Sequence, residues 1–180
     1  LEKVEDENFN VLIVDNHSTI QPIDNVKTQF PQFDYLELDK NYRYSGGNNR
    51  GFEYIKNETD FICFLNNDVV VEPNFIKNLR NAIQEFGEEN IFGPKIFFEY
   101  PSNKIWYGGG VVNLKNGQIF HRNIGISDDE DNSKKGFTDY VTGCCLLIST
   151  KIFEKLNGFN ERFNMYAEDV DLCLTAKQQN

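Results

Sequence analysis

The sequence predicts an α/β fold whose parallel sheet becomes mixed in the second half of the chain. Three observations predict it. Two short runs, NVLIVD at 10–15 and DFICFL at 60–65, are apolar without alternation, as strands buried on both faces require. Segments with helical spacing follow such runs, so strands and helices alternate through residue 90. Beyond residue 100, Asn116-Gly117 between two strand-like stretches is a strong hairpin signal, and a hairpin adds antiparallel strands.

In chain order, residues 1–8 are acidic and read as the frayed end of a helix. Asn10–Asp15 is the first strand. Ser18 or Thr19 is placed to cap a helix reaching Phe30. Phe33–Leu38 reads as the second strand. Asn41–Gly51 (NYRYSGGNNRG) reads as a polar, glycine-bearing loop that enters a helix ending near Asn57. Asp60–Leu65 is a buried strand that ends at Asn66-Asn67-Asp68, with Val69–Val71 continuing briefly. Pro73 suits the first helical position, and Phe75, Ile76, Leu79, Ile83 and Phe86 follow at helical spacing until Gly87. Ile91–Phe98 is a strand interrupted at Gly93-Pro94. Ile105–Asn113 and Gln118–Arg122 form the hairpin. Ser127–Lys135 is an acidic surface loop, and Phe137–Ile148 is strand-like. Ser149 caps a short helix to Leu156, Asn157-Gly158 stops it, and a last helix begins near Tyr166–Glu168.

With 180 residues the chain has the size of one domain, 1–180, large enough to fold on its own core. Sixteen Phe and eight Tyr read as core filling. The net charge of −10 argues against a nucleic-acid surface, which needs clustered Lys and Arg. It still admits one diphosphate, provided a cation bridges it to carboxylates. Cys63, Cys144, Cys145 and Cys173 form no CxxC pair and point to a reducing compartment. His17 and His121 stand alone, so no zinc cluster is expected. No run of 18 apolar residues predicts a spanning helix, and no signal peptide is expected.

Open parallel sheets bind ligands at the carboxyl ends of their strands. Asp15-Asn16 and Asn66-Asn67-Asp68 stand at such ends. A carboxylate flanked by amides suits a hard divalent cation shared with substrate phosphates. Each group taken alone is more readily explained as a turn or helix cap, because Asn and Asp favour turns. Gly46-Gly47 matches neither GxGxxG nor a P-loop. Glu168-Asp169-Val170-Asp171 falls at a helix start, where an acid is either ordinary decoration or a general base facing a cleft. Trp106 and Tyr107 offer an aromatic stacking surface or plain hairpin packing.

Together, VLIVDNHS, NYRYSGGNNRG, FLNNDVVVEP, VTGCCLLIS and GFNERFNMYAEDVDLCL resemble the family 2 inverting glycosyltransferases of the GT-A type fold. The nearest branch is the rhamnosyltransferase-like one of bacterial surface polysaccharide biosynthesis. The stretches run in family order from residue 11 to 174. The resemblance implies a three-layer α/β sandwich around a mixed, mostly parallel central sheet. It implies a nucleotide-sugar donor, dTDP-rhamnose or a UDP-sugar, and a hydroxyl of a saccharide or lipid-linked saccharide as acceptor. It implies Mg²⁺ or Mn²⁺ as cofactor, and a cytoplasmic setting at the inner face of the cell membrane with peripheral association of the full-length protein.

Residue roles follow from the same resemblance. Asp15 corresponds to the residue that hydrogen-bonds the pyrimidine base, and Asn41, Gly47 and Asn48 to the loop lining the nucleotide. Asn66-Asn67-Asp68 matches the DxD motif, with Asp68 as metal carboxylate and Asn66 in place of the usual first acid. Gly143 and Cys144 pack near the donor sugar. Glu168 belongs to the donor side, and Asp169 is the catalytic base. The family's opening strand with its T-Y-N-like segment has no counterpart before Leu1, and the chain stops soon after the helix bearing Asp169. It is therefore expected to be a fragment that alone binds nucleotide weakly or not at all. Two other functions are a non-catalytic sugar-nucleotide-binding relative and a nucleotidyltransferase of related sheet.

Overall fold

The computed structural model describes residues 1, 4–6, 8–20, 23–128 and 135–179. A parallel pair opens the fold: β1 (Leu12–Asp15) and β2 (Asp34–Glu37) run in register Leu12 to Asp34 through Asp15 to Glu37. Between them lies α1 (Asp24–Gln29), and after them α2 (Arg43–Ile55) packs back on β1. β3 (Phe61–Leu65) leads into α3 (Phe75–Phe86). Four short strands follow: β4 (Ile96–Phe97), β5 (Ile105–Tyr107), β6 (Gly110–Asn113) and β7 (Gln118–His121). The chain closes with β8 (Cys145–Ser149), α4 (Thr150–Lys155) and α5 (Glu168–Gln179).

The apolar runs become strands, but their partners differ from expectation. Among the described residues only β1–β2 is a parallel ladder; β3–β8, β4–β5 and β6–β7 are antiparallel. The pairs do not join into one mostly parallel sheet, although a bridge from Phe92 to Leu147 extends the β3–β8 pair by one strand-like residue. An apolar run reports burial on both faces, not the direction of its neighbour. Here β8 returns beside β3 after the hairpin arm, and that route delivers it antiparallel.

The core lies around β8. All five β8 residues are buried, with Leu146 and Ile148 fully so. Phe153 and Phe159 meet Phe64 and Phe52 with ring centroids 4.7 to 5.1 Å apart, mostly edge to face. Each buried ring contributes roughly 1.5–3 kcal/mol through area alone. On the other face of the β3–β8 pair, α3 lays Phe75 and Leu79 against Phe92, Cys145 and Leu147. Cys63 and Cys145 behave as small apolar groups there, free thiols whose sulfurs lie 3.9 Å apart in a weak hydrogen-bond contact.

Several predicted boundaries move. Ser18 caps no helix: its N–H donates to Asp15 Oδ1 at 3.0 Å, and α1 starts only at Asp24. The glycine-bearing segment is no loop, because α2 begins at Arg43 and buries Ser45, Gly46 and Gly47. Gly108-Gly109 break the long predicted strand into β5 and β6, with Gly109 at φ +117°. Of Ile91–Phe98 only Ile96–Phe97 is strand, and of Phe137–Ile148 only the part from Cys145. Residues 4–6 are not helical. Most of the acidic Ser127–Lys135 loop, residues 129–134, lies outside the described residues. Ser149 does cap α4, accepting from the Ile152 N–H at 3.3 Å, and Asn157 and Gly158 end it in left-handed conformations. The Asn116-Gly117 turn forms with Gly117 at φ +70°.

Candidate active site

Three chain segments build the site, and two short polar links hold them together. The first link stands at the end of β1. Asn16 Oδ1 accepts from the Tyr42 N–H at 2.8 Å, and its Nδ2 donates to the Arg43 carbonyl at 2.8 Å and to Asn41 Oδ1 at 3.3 Å. Asn41 Oδ1 also accepts from the Arg43 N–H at 2.7 Å. A Cβ on Gly47 would sit 3.0 Å from Asn16 Nδ2, so the bare backbone of α2 is what lets this amide lie flat against it. Asp15 is half-buried beside the clamp, with Oδ1 committed to the Ser18 turn. Asp15, Asn41 and Gly47 thus meet around Asn16, which sequence reasoning noted only as a neighbour of Asp15. Asn48 turns inward along its own helix and donates to the Tyr44 carbonyl at 3.0 Å.

The second link is the turn at Thr142–Cys145. The half-buried Tyr44 of α2 donates its hydroxyl to the Gly143 carbonyl at 2.6 Å. The Gly143 N–H donates to Asp169 Oδ2 at 2.8 Å, and the Val170 N–H donates to Asp169 Oδ1 at 2.8 Å. Gly143 therefore touches α2 with one face of its peptide and α5 with the other. A side chain there would force Tyr44 off its bond, since a Cβ would come 2.7 Å from the Tyr44 oxygen. Asn66, one step past β3, donates its N–H to the Cys144 carbonyl at 3.0 Å and carries the ladder to the same turn. Asn67 and Asp68 are exposed beyond it. Cys144 is half-buried, and burial first, then the nearby Asp68 charge, push its thiol up.

The acidic pair is set by strained backbone. Tyr166 and Ala167 both adopt left-handed angles, φ +68° and +70°, just before α5. Each costs roughly 1–2 kcal/mol in a residue with a Cβ. Glu168 is 7 % exposed, and its Oε2 has no hydrogen-bond partner among the described residues. Burial raises its carboxyl above the ordinary range, its own backbone N–H pulls it back in part, and the Asp169 charge adds to the rise. Burial also drives the Tyr44 phenol far up, with Asp169 and Glu168 reinforcing it. That phenol is a permanent hydrogen-bond donor at working pH.

Other expectations meet mixed outcomes. Tyr107 is no stacking surface: it is 2 % exposed and donates its hydroxyl to the Tyr140 carbonyl at 2.6 Å. Trp106 is half-buried, edge to face with His121 at 4.5 Å. Asn49, unremarked in the sequence, exchanges two hydrogen bonds with the Phe159 backbone, at 2.8 and 2.9 Å, and pins the loop that leads to α5. A recess of about 450 Å³ lies behind that loop, lined in part by Asn160, Glu161 and Asp171. None of the predicted site residues lines it. Among the described residues no three His, Cys, Asp or Glu side chains gather into a metal-ligand group. Asp68 has no hydrogen-bond or ion-pair partner among the described residues, so its oxygens are open to a cation shared with phosphate. A Mg²⁺-type ion is ordinarily held that way, by one or two carboxylates, and not in an all-protein cage. No helix of the described residues is long and apolar enough to cross a membrane.

Comparison with known proteins gives this geometry its context. Residues 1–157 match the family described as glycosyl transferase family 2. A low-salt glycan biosynthesis hexosyltransferase of Haloferax volcanii, Agl10, is 30 % identical over 81 % of the chain and 47 % of its own length. The rhamnosyltransferase WbbL of Escherichia coli is 23 % identical over 94 % of the chain and 67 % of its own length. An N-acetylglucosaminyl-diphospho-decaprenol L-rhamnosyltransferase of Mycobacterium tuberculosis is 26 % identical over 90 % and 59 %. The chain spans about half to two thirds of these relatives. The family implies a GT-A type α/β fold, and its members commonly use divalent metals. With a match over residues 1–157, the chain belongs to glycosyl transferase family 2, in company with rhamnosyl- and hexosyltransferases.

Proposed function

We propose that residues 1–180 form most of one catalytic domain that moves a sugar from a nucleotide diphosphate to a hydroxyl of a saccharide or lipid-linked saccharide, with inversion. The observation that carries this reading is the Thr142–Cys145 turn. Its Gly143 N–H holds Asp169, and its Cys144 lies within the field of Asp68. One rigid turn thus links the base to the carboxylate of the diphosphate side. Asp15, Asn41, Gly47 and Asn48 line the nucleotide, Asn66 and Asn67 flank the diphosphate, and Glu168 faces the donor sugar.

In this reading Asp169 accepts the proton of the acceptor hydroxyl as its oxygen bonds to the anomeric carbon. The bond from that carbon to the diphosphate oxygen breaks on the opposite face, and the diphosphate leaves with the electron pair. Asp68 would hold Mg²⁺ or Mn²⁺, and such an ion would supply Lewis-acid neutralisation of charge on the diphosphate. Donors of the dTDP-rhamnose or UDP-sugar class, polysaccharide synthesis, and a cytoplasmic setting at the inner membrane face belong to the same proposal.

Turnover of dTDP-rhamnose and UDP-sugars by the full-length protein with Mg²⁺ or Mn²⁺ tests it, comparing wild type with Asp169→Asn. The exchange should lower kcat by about 10²–10⁴, the usual worth of a general base, while leaving donor KM near its wild-type value. Product NMR should show the opposite anomeric configuration. Undiminished turnover by Asp169→Asn overturns the mechanism. Donor binding without turnover in wild type makes the chain a non-catalytic sugar-nucleotide-binding relative.

A further inference from the structure

The Thr142–Cys145 turn that holds Asp169 is weakly fixed by its own bonds. Its closing hydrogen bond, from the Cys145 N–H to the Thr142 carbonyl, is 3.3 Å long, just past the ordinary range. Gly143 has no side chain to restrain it, so the peptides on either side of its Cα turn readily. Asp169 depends on that glycine. Its Oδ1 accepts from the Val170 N–H of its own helix, a contact that moves with it. Its Oδ2 accepts from the Gly143 N–H at 2.8 Å, its one hydrogen bond to another element among the described residues.

Tyr44 supplies the restraint that the turn lacks. Its hydroxyl donates to the Gly143 carbonyl at 2.6 Å, shorter than a typical O–H···O bond. That carbonyl lies just before the β3–β8 ladder, whose last bond runs from the Asn66 N–H to the Cys144 carbonyl. The ring itself needs no hydroxyl to pack. It meets Phe159 edge to face at 5.6 Å, and the rings beyond it, Phe52, Phe64 and Phe153, are all phenylalanines. Burial, then the Asp169 charge, oppose ionisation of the phenol, so it serves as a donor only. The peptide that joins Arg43 to Tyr44 is held in turn, because the Arg43 carbonyl accepts from Asn16 Nδ2 at 2.8 Å. The first turn of α2 thus reaches from the clamp beside Asp15 to the turn beside Asp169.

We propose that Tyr44 is a positioning residue for the base: its hydroxyl fixes the Gly143 carbonyl and, through Gly143, the orientation of the Asp169 carboxylate. The proposal rests on the reading of Asp169 as base. Its role is exercised on Asp169 and not on substrate. With both oxygens of Asp169 engaged once, each keeps lone-pair capacity for the acceptor proton, in a fixed direction. A carboxylate free to turn with a loose glycine would meet the hydroxyl in the right geometry less often, and misplacement of that kind is costly to rate. The glycine and the tyrosine form one device. The missing Cβ lets the phenol approach, and the phenol curbs the freedom that the missing Cβ leaves.

Tyr44→Phe in the full-length protein tests this, since it removes one oxygen and keeps the ring against Phe159. Hydrogen exchange at the Gly143 amide, followed by NMR without substrate, should quicken about tenfold or more while β8 amides keep their protection. The same exchange should lower kcat about tenfold, with donor and acceptor KM near their wild-type values. In an Asp169→Asn background, Tyr44→Phe should change kcat by less than about twofold, because no base is left to place. A hydroxyl that served the fold alone would lower the melting temperature and leave kcat per folded molecule unchanged. An unaltered Gly143 exchange rate overturns the proposal. So does undiminished kcat, or the same loss of kcat in both backgrounds. A wild type that turns over no donor sinks the transfer reading instead, and the Gly143 amide still decides whether Tyr44 holds the turn.

Discussion

β1 and β3 look alike in sequence and live differently in the fold. NVLIVD and DFICFL are both apolar runs that end in polar residues. β3 pairs with the fully buried β8 and sits between two aliphatic and aromatic clusters. β1 pairs with β2, whose ends are exposed, and none of its four residues is fully buried. Apolar packing therefore fixes the half that carries Asn66, Gly143 and Asp169. Side-chain amides fix the half that carries Asp15, through Asn16. The first half gains its precision from the core, the second from a few directional bonds.

The largest break in this comparison should come from Phe153→Ala. Phe153 is fully buried and meets the rings of Phe52, Phe64 and Phe159, so its loss should cost about 3–5 kcal/mol in urea unfolding. Asn16→Ala should cost less, about 1–2 kcal/mol, because it removes hydrogen bonds and opens no large cavity. Its signature should be local: amide exchange at Tyr42 and Arg43 accelerates while β8 amides keep their protection. Equal costs for the two exchanges would erase the distinction between the halves.

The smallest effect sharpens the comparison within the buried half. Burial raises the Glu168 carboxyl, so the folded protein holds that proton to higher pH than the unfolded chain does. Its stabilising share is complete below the ordinary value of 4.5 and is lost as pH rises through the raised one. Glu168→Gln stays neutral throughout. Its melting temperature should match wild type near pH 4 and exceed it progressively above. A gap independent of pH would contradict this environment for Glu168.

The positions of several candidate residues were legible because they sit at ends of elements, where composition speaks. Asp15, Asn66 and Asp68 follow apolar runs, and Asp169 opens a helix. The clamps were less legible. Asn16, Tyr44 and Asn49 bond to partners 26, 99 and 110 residues away, and no local pattern marks such a distance. Gly143 carried a family signature, but its steric reason is the Tyr44 ring. The position of α2 was misread because Gly46-Gly47 signals a turn locally, whereas Gly47 serves helix packing against Asn16.

By itself the sequence determined that Asp60–Leu65 is a buried strand, that Ser149 caps α4 and Asn157-Gly158 stop it, and which carboxylates stand at strand and helix ends. These follow from side-chain chemistry over a few neighbouring residues. Only the tertiary structure decided that β8 runs antiparallel beside β3 and that Gly143 is held between Tyr44 and Asp169. Each depends on which distant surfaces meet, and close packing settles that over the whole chain at once.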